Sequence, residues 1–345
     1  MNRAEQYMQR CIALALKGAG SVAPNPMVGA VLVHNDTIIG EGWHMQYGQA
    51  HAEVNCIRSV AAANRKLIPE STIYVSLEPC AHYGKTPPCA DLIISEGIRK
   101  VVIGCTDTFH KVAGEGIRKL EAAGIHVTNG VLEAACRGLN KRFFTNQEKK
   151  RPYVILKWAQ SADGFIAPPE GRKVMLSNEL TRRYVHKMRS EEAAILVGYR
   201  TALLDDPELN NRYWSGPQPE RVVLDPELRL PGTLKLFRGP QKTLVLNHHK
   251  DATEGQVQWM RIAGKDNQAK AVLEALTGRA SVIVEGGTRT LQQFIDAGLW
   301  DEACVIETPV VLQEGTAAPL LHHHLPGSRL RLGFDQIQHY THADT

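Results

Sequence analysis

The chain has 345 residues, 43% of them hydrophobic and 22% charged, the balance of an ordinary soluble protein able to bury a core. At that length two domains are the default expectation. Its 40 basic and 36 acidic residues leave a net charge of +4, too small an excess to argue for nucleic acid, although it suits an anionic small substrate.

In chain order, the apolar residues of MNRAEQYMQRCIALALKGAG recur at helical spacing, with no unbroken apolar stretch ahead of a cleavage site. The segment reads as an amphipathic helix of the mature fold rather than a signal peptide. Nowhere do about 18 apolar residues run together, so no membrane span is expected. Seven cysteines, an odd number without export signals, point to a reducing compartment and a cytoplasmic protein. MVGAVLV (27–33) and TIIGEGW (37–43) flank the turn HND as a hairpin. AEVNCIRSVAAA (52–63) has helical periodicity, STIYVSL (71–77) is a strand, and CADLIISEGI (89–98) is a helix introduced by Pro87 and Pro88. KVVIGCTD, GIRKLEAAG, IHVTNG and LEAACRGLNKRFF continue as strand, helix, strand and helix, which implies a sheet between helical layers.

TNQEKKRP (145–152), polar and ending in proline, is the expected linker, giving domains 1–145 and 146–345. The α/β rhythm then restarts. YVILKWA, AAILVG, RVVLD, KTLVLN, SVIVEGG and ACVIETPVV are strands, and a helix lies around SNELTRRYVHKMRS. The last stretch holds one or two closing strands and a loose tail. No repeat relates the halves.

One constellation carries chemistry. His51-Ala52-Glu53 stands where a helix begins, and Pro79-Cys80 and Cys89 lie downstream, Cys89 again in a helix's first turn behind two prolines. One imidazole and two thiolates leave the fourth tetrahedral position of a zinc ion open, the arrangement of a catalytic site. Residues i and i+2 do not share a lateral helix face, but at the N-terminus side chains lean back, so His51 can ligate while Glu53 stands beside the metal's water. Two helix N-termini aimed at one point stabilise thiolate charge. The competing readings are a disulfide, buried apolar cysteines, or a purely structural zinc. Cys11, Cys56, Cys105, Cys136 and Cys304 read as small core residues. The pattern is that of zinc nucleobase deaminases, with Glu53 as general acid and base. Here, however, eight residues separate the cysteines.

The segments APNPMVGAVLV, GEGWH, AHAEVNC and SLEPCAHYGKTPPC closely resemble the deaminase domain of the bifunctional riboflavin-biosynthesis deaminase–reductases. LKWAQSADGFIA, AAILVGYRTALLDDPELNNR, RVVLD and VEGGTRTLQQF resemble their reductase domain, so the likeness spans the whole chain. It implies a cytidine-deaminase-like α/β/α sandwich followed by a dihydrofolate-reductase-like α/β domain. It also implies one Zn²⁺ per chain, NADPH, a phosphorylated pyrimidine substrate, no nucleic acid or membrane partner, and a homo-oligomer, dimer or tetramer. Asn25, His44, His82 and Lys85 would line the deaminase pocket. Lys157, Lys173, Arg189, Leu209, Arg212 and Glu285 would meet the reductase substrate. Gln160, Met175, Thr201, Asp205, Gly287, Thr288, Arg289 and Thr290 would meet NADPH. Without the resemblance, His44 and His82 are ordinary histidines, Asp205-Asp206-Pro207 a turn, and Arg189 a surface helix residue. Phe165, Lys173 and Met175 depart from the family pattern. His322–His324 read as a surface run, since consecutive residues do not face one point. The alternative is a deaminase of nucleic acid or free base with a degenerate second domain; a basic, aromatic-interleaved face would favour it.

Overall fold

The structure, a computed structural model, describes residues 2–83, 87–108, 114–169, 174–264 and 267–344. The chain divides into two compact units, Met1–Lys150 and Arg151–Thr345.

The first unit runs α1 (Arg3–Ala15), β1 (Gly29–His34), β2 (Thr37–Trp43), α2 (Ala52–Arg58), β3 (Thr72–Leu77), α3 (Cys89–Ser95), β4 (Lys100–Cys105), α4 (Glu115–Ala122), β5 (His126–Asn129), α5 (Glu133–Leu139) and α6 (Lys141–Lys149). A capping box starts α1: the Asn2 side chain accepts from the Glu5 amide at 2.9 Å, and the Glu5 carboxylate accepts from the Asn2 amide at 2.8 Å. The β1–β2 hairpin turns on Asn35 and Asp36, both at positive φ (44° and 63°), a two-residue turn of the twist-matched kind, with His34 paired to Thr37. The sheet order is β2-β1-β3-β4-β5, with β1 antiparallel to both neighbours and β3, β4 and β5 parallel. Because strand side chains alternate, Ala30, Leu32, Ile73, Val101 and Ile103 face a core with Cys56, Ile93 and Leu120. Val31, Val33 and Val102 face another with Met8, Leu14, Cys136 and Phe144. Helices thus cover both faces, the expected sandwich. A Cβ on Gly29 would stand 2.0 Å from the Cys11 carbonyl oxygen, so α1 lies backbone to backbone on β1.

Three boundaries differ from expectation. The helix read over 52–63 ends at Arg58. There the Ser59 hydroxyl donates to the Cys56 carbonyl (2.7 Å) and accepts from the Glu41 amide (2.8 Å), and a 3-10 helix, Ala62–Glu70, follows. The helix read over 132–144 breaks at Asn140, whose side chain bonds both the amide (2.8 Å) and the carbonyl (2.9 Å) of Met27. The expected linker is instead the continuation of α6 to Lys149, so the units part at 150/151 rather than 145/146. Phe144 and Thr145 are buried, Arg137 pairs with Glu148 at 2.7 Å, and Glu148 and Lys149 lie on the solvent face of the helix.

The second unit runs β6 (Tyr153–Gln160), β7 (Phe165–Ala167), α7 (Glu179–Glu191), β8 (Ala194–Gly198), α8 (Tyr199–Asp205), β9 (Glu220–Leu224), β10 (Thr243–Asn247), β11 (Ala252–Glu254), β12 (Val257–Arg261), α9 (Gln268–Ala275), β13 (Ser281–Val284), α10 (Thr288–Asp296), β14 (Glu302–Glu307), β15 (Thr316–Ala317), β16 (His324–Leu332) and β17 (Asp335–His342). Its main sheet has the order β11-β12-β10-β9-β8-β13-β6-β14-β17-β16, parallel from β12 through β14 and antiparallel at both ends; β15 pairs with β7. Every residue of β8 and β10 is buried, which explains the unbroken apolar runs there. One face packs on α9 and α10 through Val272, Leu291 and Phe294, and the other packs partly on α7 through Val185 and Met188. His323 and His324 are exposed.

Candidate active sites in the two units

In the first unit the parallel strands deliver their C-terminal ends to one place. His51 is the N-cap of α2 in extended backbone, Cys80 follows β3, and Cys89 opens α3 behind Pro88. The His51 Nδ1 lies 3.6 Å from the Cys80 sulfur and 3.4 Å from the Cys89 sulfur. Tetrahedral zinc with ordinary Zn–S and Zn–N bonds separates a nitrogen and a sulfur ligand by about 3.6 Å, so this donor triangle fits the ion. All seven cysteines are free, so no disulfide joins Cys80 to Cys89. The Cys89 amide donates to the Cys80 sulfur at 3.3 Å. Hydrogen bonding from Cys89, helped by His51, pulls the Cys80 thiol down to about 4, while the Cys89 thiol is pushed up by the same bond and by burial. Hydrogen bonding to Cys80 raises the His51 imidazole. By contrast, burial pushes the Cys56 thiol and its core counterparts upward, and they are inert.

Glu53 is 3% exposed, and burial, with Cys80 beside it, raises its carboxyl to about 7. The group can therefore exchange a proton near neutrality. His44 Nδ1 lies 3.1 Å from the Ala50 carbonyl, which can only accept, so that nitrogen carries the proton. Burial lowers the His44 imidazole, which favours its neutral form. Its Nε2 then accepts from the Asn25 amide nitrogen at 3.2 Å, and Asn25 lines the pocket. A pocket of about 350 Å³ is lined by Asn25, His44, Glu53, Cys80 and the exposed His82. Lys85 lies outside the described residues. The pocket wall also holds Asp107, at the exit of β4, and Phe143 and Gln147 of α6. Sequence reading missed these three. The i, i+4 spacing of Phe143 and Gln147 on one helical face is the signal that could have found two of them.

In the second unit Lys157 of β6, Arg189 of α7 and Glu285 after β13 meet. The Glu285 carboxylate accepts a two-pronged contact from Arg189 (2.8 Å to each oxygen) and lies 3.4 Å from the Lys157 ammonium. Burial pushes the Glu285 carboxyl up, but Arg189 and Lys157 outweigh it and hold the group down at about 2. Arg189 also donates to the Asn210 carbonyl at 3.0 Å, and the Arg212 amide donates to His186 Nδ1 at 3.0 Å. These bonds hold the turn through buried Leu209, which adopts φ 49°. The Gly287 amide donates to the Thr201 hydroxyl at 2.9 Å, where β13 gives way to α10. A Cβ on Gly198 would stand 2.3 Å from the Thr290 hydroxyl, and one on Gly286 would stand 2.8 Å from the Thr290 Cβ, so glycine lets these backbones close around Thr290. Thr288 donates to the Ala317 carbonyl, and Gln160 accepts from the Trp158 indole at 2.8 Å. Asp205 ends α8; Met175 and Arg289 are exposed, outside these contacts. Lys173 is outside the described residues. Gly198, Glu285 and Gln160 all sit at the carboxyl ends of parallel strands, where open α/β sheets bind ligands. Sequence reading missed His186, whose helical position one turn before Arg189 was visible.

Among the described residues, no helix is long and apolar enough to cross a membrane. Two family models match the chain: the cytidine and deoxycytidylate deaminase zinc-binding region over residues 1–105, and the RibD C-terminal domain over residues 152–342. A riboflavin biosynthesis protein RibD from Aquifex aeolicus is 37% identical over 320 residues, 90% of this chain and 88% of the relative. One from Bacillus amyloliquefaciens is 39% identical over 328 residues, 92% and 87% of the two chains. A crystal structure of a diaminohydroxyphosphoribosylaminopyrimidine deaminase/5-amino-6-(5-phosphoribosylamino)uracil reductase from Thermotoga maritima superposes with a TM-score of 0.89 at 35% identity, covering 98% of both chains. With a zinc-deaminase fold in one unit and a reductase fold in the other, the chain belongs to the RibD family of riboflavin biosynthesis proteins.

Proposed function

We propose that the chain carries out two consecutive steps of riboflavin biosynthesis, with the residues above in defined roles. The first unit removes the 2-amino group of 2,5-diamino-6-ribosylamino-4(3H)-pyrimidinone 5′-phosphate as ammonia. The second reduces the ribosyl moiety of the product to ribityl with NADPH. The observation that carries this reading is the His51–Cys80–Cys89 triangle beside a Glu53 that is only 3% exposed.

His51, Cys80 and Cys89 would hold one zinc ion, which, when bound, acidifies a water towards neutrality and makes it the nucleophile. Glu53 takes that water's proton, hands it to a ring nitrogen, and delivers a proton to the departing amine. The water oxygen ends on the ring carbon, and nitrogen leaves as ammonia. Asn25, held by neutral His44, accepts a hydrogen bond from the pyrimidine, and His82 closes the wall; Lys85 is assigned to the phosphate by family likeness alone.

NADPH would supply the hydride in the second unit, its phosphates meeting the backbone at Gly287 and the first turn of α10 (Thr288–Thr290). Thr201 fixes that backbone, and Gln160, Met175, Asp205 and Arg289 are assigned to the rest of the cofactor. Glu285, kept ionised by Arg189 and Lys157, with Leu209 and the half-exposed Arg212, faces the substrate. Lys157 would sit near the reacting centre, and Lys173 joins by likeness. A homo-oligomer working in the cytoplasm completes the reading, in keeping with seven free thiols. A nucleic-acid or free-base deaminase is disfavoured, because the RibD relatives match across both units, over 90% of this chain.

A coupled assay with the diaminopyrimidine phosphate, following ammonia and NADPH in one tube, tests the proposal. Ammonia should appear first and NADPH oxidation should follow. NADPH oxidation on the undeaminated substrate, or none on its deaminated product, overturns the order or the second step.

A further inference from the structure

We propose that Glu78 is a positioning residue of the deaminase site, its carboxylate fixing the metal-facing Pro79–Cys80 turn and the pocket residue Asp107 in one frame. The inference rests on reading His51, Cys80 and Cys89 as zinc ligands. Glu78 is 4% exposed, and among the described residues four backbone amides converge on it. Gly116 and Ile117 donate to one oxygen at 2.8 and 3.2 Å; Asp107 and Gly114 donate to the other at 3.1 Å each. Three of these donors open α4, whose N-cap, Gly114, has no side chain to satisfy them. Glu78 therefore caps that helix from a distant strand, through charge-assisted bonds.

The fit is tight. A Cβ on Gly116 would stand 2.0 Å from the Pro79 carbonyl oxygen and 3.1 Å from a Glu78 carboxylate oxygen. The Glu78 amide donates in turn to the Cys105 carbonyl at 3.0 Å, locking the end of β3 to the end of β4. Cys80, two residues on, is thus held by a turn with little freedom to shift. Asp107, 8% exposed in the pocket wall, hangs from the same carboxylate. Groups that orient metal ligands in this way commonly change metal affinity or activity by about 10–100-fold when altered.

Glu78→Gln keeps the shape but turns an amide nitrogen toward two backbone donors. In the full-length enzyme we expect zinc to be lost to a chelator about 10–100-fold more readily and the absorption band of the cobalt-substituted site to shift. KM for the diaminopyrimidine phosphate should rise by a comparable factor, while NADPH oxidation with the deaminated product stays unchanged. Ile73→Val, a core change in the same sheet away from the site, should lower melting yet leave spectrum, zinc retention and KM as in the parent. If Glu78→Gln only lowers melting, as Ile73→Val does, the inference is overturned. Should the first unit of Glu78→Gln fail to fold, Glu78→Asp, with its charge withdrawn by one methylene, decides by the same readouts, and parent-like values there overturn it too. A parent enzyme without zinc would instead sink the ligand reading, a separate outcome.

Discussion

Replacing the Glu53 carboxylate by the isosteric amide removes the proposed proton carrier while leaving its space filled. Because Glu53 stands outside the His51–Cys80–Cys89 triangle, Glu53→Gln should leave zinc content and melting close to the parent's. Ammonia release should fall about 10²–10⁴-fold, the usual worth of a general acid–base group. Elemental analysis, calorimetry and an ammonia assay on one preparation check this; near-parental deamination would assign the proton to another group. In the second unit, burial, with Arg189 and Arg212 beside it, holds the His186 imidazole down at about 4. In the unfolded chain this histidine titrates at about 6.5. Between those values the unfolded chain binds a proton that the native chain does not, so stability falls as pH drops from about 6.5 to about 4. His186→Gln keeps an acceptor for the Arg212 amide but cannot titrate, and should flatten that slope. Denaturant midpoints followed through Trp158, Trp214, Trp259 and Trp300 give the comparison, and equal slopes would rule the histidine out.

At the level of elements, the deaminase unit depends on α1 lying directly on β1. Gly29→Ala would drive a methyl into the Cys11 carbonyl (2.0 Å) and the Ala15 amide nitrogen (2.8 Å), both helix backbone. Overpacking of that kind costs about 1–3 kcal/mol or more, so the first unit's melting point should fall by several degrees while NADPH oxidation persists. A parental melting point would mean that α1 can retreat freely. β1 and β4 of this unit, like β8 and β10 of the second, were legible because strands buried on both faces read as apolar runs. What failed had either a tertiary cause or a local signal too weak to see. The helix over 52–63 stops because Ser59, just past α2, has a partner in Glu41 on β2. The polar run at 145–149 looks the same whether it is a linker or the wet side of α6. The short α8 buries only Ala202, and β12 has no clean alternation, so neither carries a periodic signal.

For the whole molecule, two separate constellations predict two separable activities. Prolonged chelation should abolish ammonia release and spare NADPH oxidation with the deaminated product. Glu285→Gln, which leaves Arg189 and Lys157 without their shared anion, should do the reverse. Loss of both activities in either experiment would show that the sites are not independent. The sequence by itself determined the two α/β units and singled out His51, Cys80 and Cys89, whose donor atoms the structure brings within 4.8 Å of one another, together with the neighbouring Glu53. Periodicity, ligand chemistry at helix starts and the length of the Glu-Pro-Cys loop are all local properties. Only the tertiary structure decided that Glu78 gathers four amides, that Asp107, Phe143 and Gln147 wall the pocket, and that Arg189 pairs with Glu285 across 96 residues of chain. Such partners are chosen by how strands and helices stack, and a one-dimensional pattern has no term for that.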